Sequence, residues 1–375
     1  QENLNIINIP LDLYYAFLQP ILQVLLPHGD SLPPELLDSL LDNNHNFLNI
    51  SITPIECCVI CHVSWTQNVF LPFVNKTSGD RNNKAQIHSE TYTAFSMSTV
   101  NMDAGKRVID LTAPLAIAGI PIFFITTCYT DFFLVPSKDR SAVVSILLER
   151  GFKFWDQESA YVPSAFYESH KSELPSTPLP LAIAELQACT FSLLKKRNVT
   201  PVVVPDLQLV MCSGTKIPPR EFGYHSEYGN ANPESSNLAS TWLSSTNSSL
   251  YVGAISVLVR RPHFFSMTLA LDDMPSLLID RKMLGVFGNS ITGDFKTKLV
   301  PIFLDLSDLP IESTGIVCGL ASLLVRELSD PEDDKECVLT ELSYLSTSRA
   351  GAVILSEEQS RKALGALLPM LEEKE

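Results

Sequence analysis

The residues best equipped for chemistry stand together at Cys57-Cys58-Val59-Ile60-Cys61-His62. C-x-x-C-H is the spacing that attaches a c-type haem, and paired cysteines beside a histidine are familiar zinc ligands. Neither chemistry suits this stretch. It is an apolar run that reads as a strand, where residues three apart face opposite sides of a sheet, and no second ligand pair follows at finger-like spacing. The remaining histidines, at 28, 45, 88, 170, 225 and 263, are scattered singly. No nucleophile elbow, phosphate-binding loop, G-x-G-x-x-G or H-E-x-x-H pattern occurs. The expectation is a binding or regulatory protein with no catalytic residues, no metal and no cofactor.

Composition agrees with that class. A net charge of -15 repels phosphate backbones, so no nucleic-acid partner is expected. Eight cysteines without a dense framework fit reduced thiols, and no charged-then-apolar leader opens the chain, so it reads as cytoplasmic. The N-x-S/T sequons at Asn49, Asn75, Asn198 and Asn247 then read as chance matches.

The elements are organised around Asp110 to Val135. Helical spacing runs to Ala118-Gly119, then two β-branched and aromatic runs flank Cys128-Tyr129-Thr130-Asp131, giving helix, strand, tight turn, strand. A membrane span is the rival, because Leu111 to Thr130 carries no charge. Pro114, Pro121, four threonines and the period change after Gly119 argue against it. The pattern returns at Leu345-Ser346-Thr347-Ser348 before Gly351 to Leu355, 220 residues beyond Ile125-Thr126-Thr127-Cys128. Phe47 to Cys61 and Phe264 to Ile279 repeat it more weakly, 217 apart, which suggests a duplicated half-chain.

Each repeat fits β-α-β-β-α-β, the ferredoxin-like arrangement. The fold expected is α+β, with four ferredoxin-like units as two tandem pairs. Their bounds are 1–90, 91–156, 206–292 with a polar insertion near 216–249, and 293–375; a linker with one helix, Leu181 to Lys196, fills 157–205. Pro369 is expected to end the last helix.

Four such units resemble the ACT-domain regulatory proteins, more closely the CASTOR family of cytosolic arginine sensors, and also the regulatory tandem of aspartate kinases. The resemblance is carried by Ala118 to Ile122, Thr126 to Phe132 with Leu134-Val135-Pro136, Gly315-Ile316-Val317 and Ser346-Thr347. It implies a free amino acid, arginine or another, held between the second and fourth units by Pro121 and Ile122, by Ser313, Thr314, Gly315 and Ile316, and by Thr347, Ser348 and Gly351. A helix N-terminus there attracts a carboxylate, and glycine permits close approach. The family has an acidic residue, an aromatic and an aspartate where this chain has Ser313, Ser348 and Gly351, and a serine where it has Pro121. Those losses remove the charge pairing that fixes a guanidinium. The resemblance also places Cys128, Tyr129 and Asp131 on the surface that meets a TOR-regulating partner of the GATOR type; the alternative for Asp131 is a turn stabiliser. A homodimer through exposed sheet edges is a further expectation. A ligand-free scaffold and a detached regulatory subunit of a biosynthetic enzyme remain alternatives.

Overall fold

The computed structural model describes residues 3–26, 47–77, 84–99, 104–154, 164–167, 180–215, 248–270, 273–328 and 342–372. Most of the polar insertion near 216–249, with His28, His45, His170 and His225, lies outside the described residues.

Strand-forming runs and helix-spaced runs alternate along the chain as their periods require. First come β1 (Leu4–Pro10), α1 (Tyr14–Leu25), β2 (Phe47–Ile52), β3 (Glu56–His62), α2 (Leu71–Lys76) and β4 (Gln86–Ile87). The next group is β5 (Tyr92–Thr99), α3 (Ala104–Ile117), β6 (Phe123–Thr126), β7 (Asp131–Pro136) and α4 (Arg140–Glu149). Then follow β8 (Lys153–Phe154), β9 (Ser164–Tyr167), α5 (Pro180–Lys196) and β10 (Pro201–Val202). A third group holds β11 (Leu209–Gly214), α6 (Ser248–Arg260), β12 (Phe265–Ala270), β13 (Ser276–Asp280), α7 (Leu284–Phe287) and β14 (Ile291–Gly293). The last comprises β15 (Leu299–Asp305), α8 (Ile316–Leu328), β16 (Ser343–Ser346), β17 (Ala350–Ser356) and α9 (Glu357–Leu371).

In every group the hairpin and the leading strand pair antiparallel, as β2-β3-β1, β6-β7-β5, β12-β13-β11 and β16-β17-β15. These twelve strands close into one ring. β2 lies antiparallel to β12 from Ile52↔Phe265 to Phe47↔Ala270, and β6 meets β16 at Ile125↔Leu345. Single bridges, Leu4↔Tyr92 and Leu209↔Leu299, complete it. The edges invoked for a homodimer are thus paired within the chain. Short strands add to the outside: β4 on β1, β14 on β11 and β10 on β15, while β9 joins β5 in parallel and β8 pairs with β9 rather than β5.

Three cores follow from this closure. Leu4, Ile6, Phe132, Leu134, Phe264, Phe303 and Ile354 fill the inside of the ring. On the outside, α1 and α6 cover the first and third strand groups, and α3, α4, α5, α8 and α9 cover the other two. Both faces of each strand are therefore dry, which is why β2, β7 and β12 are buried at every position instead of alternating. Polar inward residues satisfy one another: Asn49 Nδ2 donates to Thr268 Oγ1 at 3.0 Å, and Ser51 Oγ donates to Asn49 Oδ1 at 2.7 Å.

Gly119, at φ 72°, ends α3 as expected, with Gly119 N–H donating to Ala116 O and Ile120 N–H to Leu115 O. Pro369 does not end α9, which continues to Leu371. Leu371 is buried in the outer core, and a proline this near a helix terminus forfeits one hydrogen bond for that packing. Among the described residues no helix is long and apolar enough to cross a membrane.

Candidate functional site

The repeated residues meet face to face where β6 adjoins β16. Phe124 N–H donates to Ser346 Oγ and Tyr344 N–H donates to Thr126 Oγ1, both at 3.0 Å, so residues 220 apart exchange the same bond in both directions. The following turns are built alike. The hydroxyl oxygens of Thr127 and Thr347 each accept the N–H of the residue three on, Thr130 and Ala350; Thr127 gives its one hydroxyl hydrogen to Thr130 O, whereas Thr347 gives its own to Glu56. Each turn docks on the other half of the ring: Cys128 N–H donates to Ser276 Oγ at 3.0 Å, and Ser348 N–H points to Cys58 Sγ.

A cavity of about 60 Å³ opens beside this joint, against the start of α8. Of the residues named from sequence, Ile122, Ser313, Gly315, Ile316, Thr347 and Ser348 line it. Pro121, Thr314 and Gly351 do not. At Gly351 an added β-carbon would lie 2.5 Å from the buried Tyr344 hydroxyl, which occupies the space where the resembled family has an aspartate. No charged side chain lines this cavity among the described residues; Tyr344, Ser313 and Ser346 are its polar wall, with Ile120, Leu309 and Ile316 its apolar one. The first turn of α8 borders it, with Gly315, Ile316, Val317 and Cys318 in its wall. The helical bonds begin with Gly319 N–H to Gly315 O, so the N–H groups before Gly319 have no acceptor within the helix.

Gly315 holds φ 83°, but its bare α-carbon faces α5 rather than a ligand. A β-carbon there would meet Leu186 Cδ1 at 2.9 Å, and Thr190 Oγ1 donates to Gly315 O at 3.1 Å. Gly315→Val should therefore destabilise the fold by about 2 kcal/mol through left-handed backbone strain and the clash with α5. A lower melting temperature without ligand is the expected reading; an unchanged one would return Gly315 to a ligand-approach role.

Two residues holding the 347–350 turn, Glu56 and His88, escaped sequence reading. Glu56 is 1% exposed, and its carboxylate accepts from Thr347 Oγ1 at 2.6 Å, from Arg349 N–H and from Asn8 Nδ2. Burial outweighs these bonds and pushes its carboxyl above the usual range. His88, 8% exposed, shares a hydrogen bond with Ser348 Oγ at 2.7 Å; burial and Arg349 push it down to about 4, so it is neutral. The Arg349 side chain turns away to Gln86 Oε1 at 3.1 Å and does not enter the cavity. The one available signal was a lone carboxylate at the head of a fully buried run, Glu56-Cys57-Cys58-Val59-Ile60.

The three residues assigned to a partner surface separate. Tyr129 is 63% exposed, Cys128 is half-buried against Ser276, and Asp131 is 3% exposed, ion-paired with Arg107 Nη2 at 2.7 Å. Asp131 therefore binds α3 to the sheet, and its carboxylate offers a partner no surface. Burial, only partly offset by Arg107 and Thr126, pushes it up to about 6.

Residues 87–149, from the end of β4 through α4, match the ACT domain family model, so the chain contains an ACT domain there. A solved structure, an aspartate kinase from Synechocystis, aligns at TM-score 0.29 and 9% identity over 100% of this chain and 55% of that one. The chain thus spans about half the length of that enzyme. No curated protein matches.

Proposed function

We propose that the chain is a non-enzymatic regulator that binds a free amino acid, built from four ACT-like units as two tandem pairs. The observation that carries this is the first cavity, set between the α8 N-terminus and the β6·β16 joint inside the pair of strand groups to which the matched ACT segment belongs. Backbone N–H groups at a helix N-terminus suit a carboxylate. The uncharged walls and small volume favour a small amino acid with an uncharged side chain over arginine, whose guanidinium would find no buried carboxylate beside it. In this reading the likeness to the arginine sensors lies in scaffold and signalling role, acting on a GATOR-type partner in the cytoplasm, with Tyr129 as the exposed member of the partner turn.

Thermal-shift screening tests it. A ligand held only by the folded state stabilises by about 2.7 kcal/mol at a hundred times its Kd. A small neutral amino acid should raise the melting temperature of the parent chain, and Ile122→Trp, which fills the first cavity, should remove that shift. A response that Ile122→Trp leaves intact would move the ligand elsewhere.

A further inference from the structure

The helix that joins the second strand group to the third, α5, stands behind the cavity rather than in its wall. It packs against α8, α9 and α3, with Phe191 and Leu194 buried in the same outer core as Val317, Leu320 and Leu324 of α8. The approach to α8 is closest at two glycines one helical turn apart. A β-carbon on Gly319 would lie 2.8 Å from Thr190 Cβ and Oγ1, and one on Gly315 would lie 3.2 Å from Thr190 Oγ1. Gly319 is inside α8, where glycine disfavours the helix, and its missing side chain is what lets α5 come this near. Thr190, 3% exposed, fills the seat.

What Thr190 holds is a peptide of the cavity wall. Its hydroxyl donates to Gly315 O at 3.1 Å, and the same carbonyl accepts Gly319 N–H at 2.7 Å. In a planar trans peptide the C=O and the following N–H point opposite ways, so fixing Gly315 O also fixes the Ile316 N–H, which points away from Thr190 and has no acceptor within the helix. Gly315 and Ile316 line the cavity, whereas Thr190 and Leu186 do not. The backbone of Gly315, at φ 83°, is one that a glycine enters and leaves freely, so its orientation depends on these two bonds.

We propose that Thr190 is a positioning residue for the cavity, and that docking of α5 on Gly315 and Gly319 and binding of a ligand's carboxylate at the start of α8 strengthen each other. The inference rests on the proposed function and adds the element that responds to occupancy. Coupling of this kind is reciprocal: the ligand tightens α5 by the factor by which α5 tightens the ligand.

Calorimetric titration of glycine, L-alanine and L-serine, each to about 10 mM, into the full chain and three variants tests this. The parent should bind at least one of them. Thr190→Val keeps the shape and loses the donor, and Gly319→Ala places a methyl group under Thr190 at a position outside the cavity wall; each should weaken binding about tenfold. Alanine favours α8 as a helix, so weaker binding by Gly319→Ala is not the result of a melted α8, and this variant keeps the test decisive should Thr190→Val fail to fold. Thr190→Ser retains the donor and should bind within about twofold of the parent. Hydrogen exchange of the Gly319 amide should quicken in ligand-free Thr190→Val while that of β15 does not, and the amino acid that binds should slow exchange along α5 in the parent. Parental affinity in both Thr190→Val and Gly319→Ala, or an equal loss in Thr190→Ser, overturns the inference and leaves the ligand reading standing. A parent that binds none of the three amino acids overturns the ligand reading and the coupling with it.

Discussion

Glu56→Ala is expected to lower the unfolding free energy by about 3 kcal/mol, and Glu56→Gln by less than about 1 kcal/mol. The carboxylate is the shared acceptor for Thr347 Oγ1, Arg349 N–H and Asn8 Nδ2 inside the closed ring. Alanine leaves those donors buried and unanswered, each costing on the order of 1–3 kcal/mol less the relief of no longer burying a charge. Glutamine keeps an acceptor, and its amide can donate to Asn8 Oδ1, which has no partner in the parent. Acidity gives a second readout. Because the folded carboxyl is raised above 4.5, Glu56 favours folding below that pH, and the contribution is lost as pH rises through the raised value. Urea unfolding of parent and Glu56→Gln between about pH 4 and 8 should show the parent losing ground as pH rises. Parallel curves, or an alanine variant as stable as the parent, would mean that Glu56 does not hold the turn.

Arg107→Met should be more damaging, by about 3–5 kcal/mol at neutral pH, because it strands a buried carboxylate. Asp131→Asn should cost only about 1 kcal/mol, since the amide still accepts from Thr126 and no charge is left desolvated. The sign with pH follows from burial. Asp131 is raised from 3.8 to about 6, so its favourable contribution is complete below 3.8 and is lost as pH rises through about 6. That shift corresponds to about 3 kcal/mol. Asp131→Asn should erase this slope, and the deficit of Arg107→Met should widen between about pH 5 and 8. A deficit for Arg107→Met that stays flat over that range would contradict an ionised Asp131.

What the residues disclosed beforehand was local. The hairpin runs at Phe47 to His62 and at Phe123 to Pro136 were legible because β-branched and aromatic residues cluster between turn formers. The helix stop at Gly119 was equally plain. The 220-residue spacing also marked residues that turn out to touch, Ile125 against Leu345. Closure of the ring was not legible, because strands buried on both faces lose the alternation that tells an inner face from an outer one. The short strands β10 and β14 were too brief to stand out from loops. At the candidate site, the resemblance named Ile122, Ser313, Gly315, Ile316, Thr347 and Ser348, which the fold brings to the wall of one cavity. Glu56, His88 and Arg107 went unnamed because their roles arise only when distant segments meet, and the packing of Gly315 against α5 was not legible because α5 could not be placed in advance.

The closed ring has a further consequence for how the chain is made. β2 must wait for β12, and β6 for β16, roughly two hundred residues later in each case. At ribosomal rates of about 5–20 residues per second, the first half spends about 10–40 s with two naked strand edges and the apolar inner face of its sheet open to water. Such high contact order slows the final closure. During that interval the same edges that are sealed in the finished molecule are templates for another nascent chain, so the vulnerability of this fold lies in its synthesis rather than in its native state.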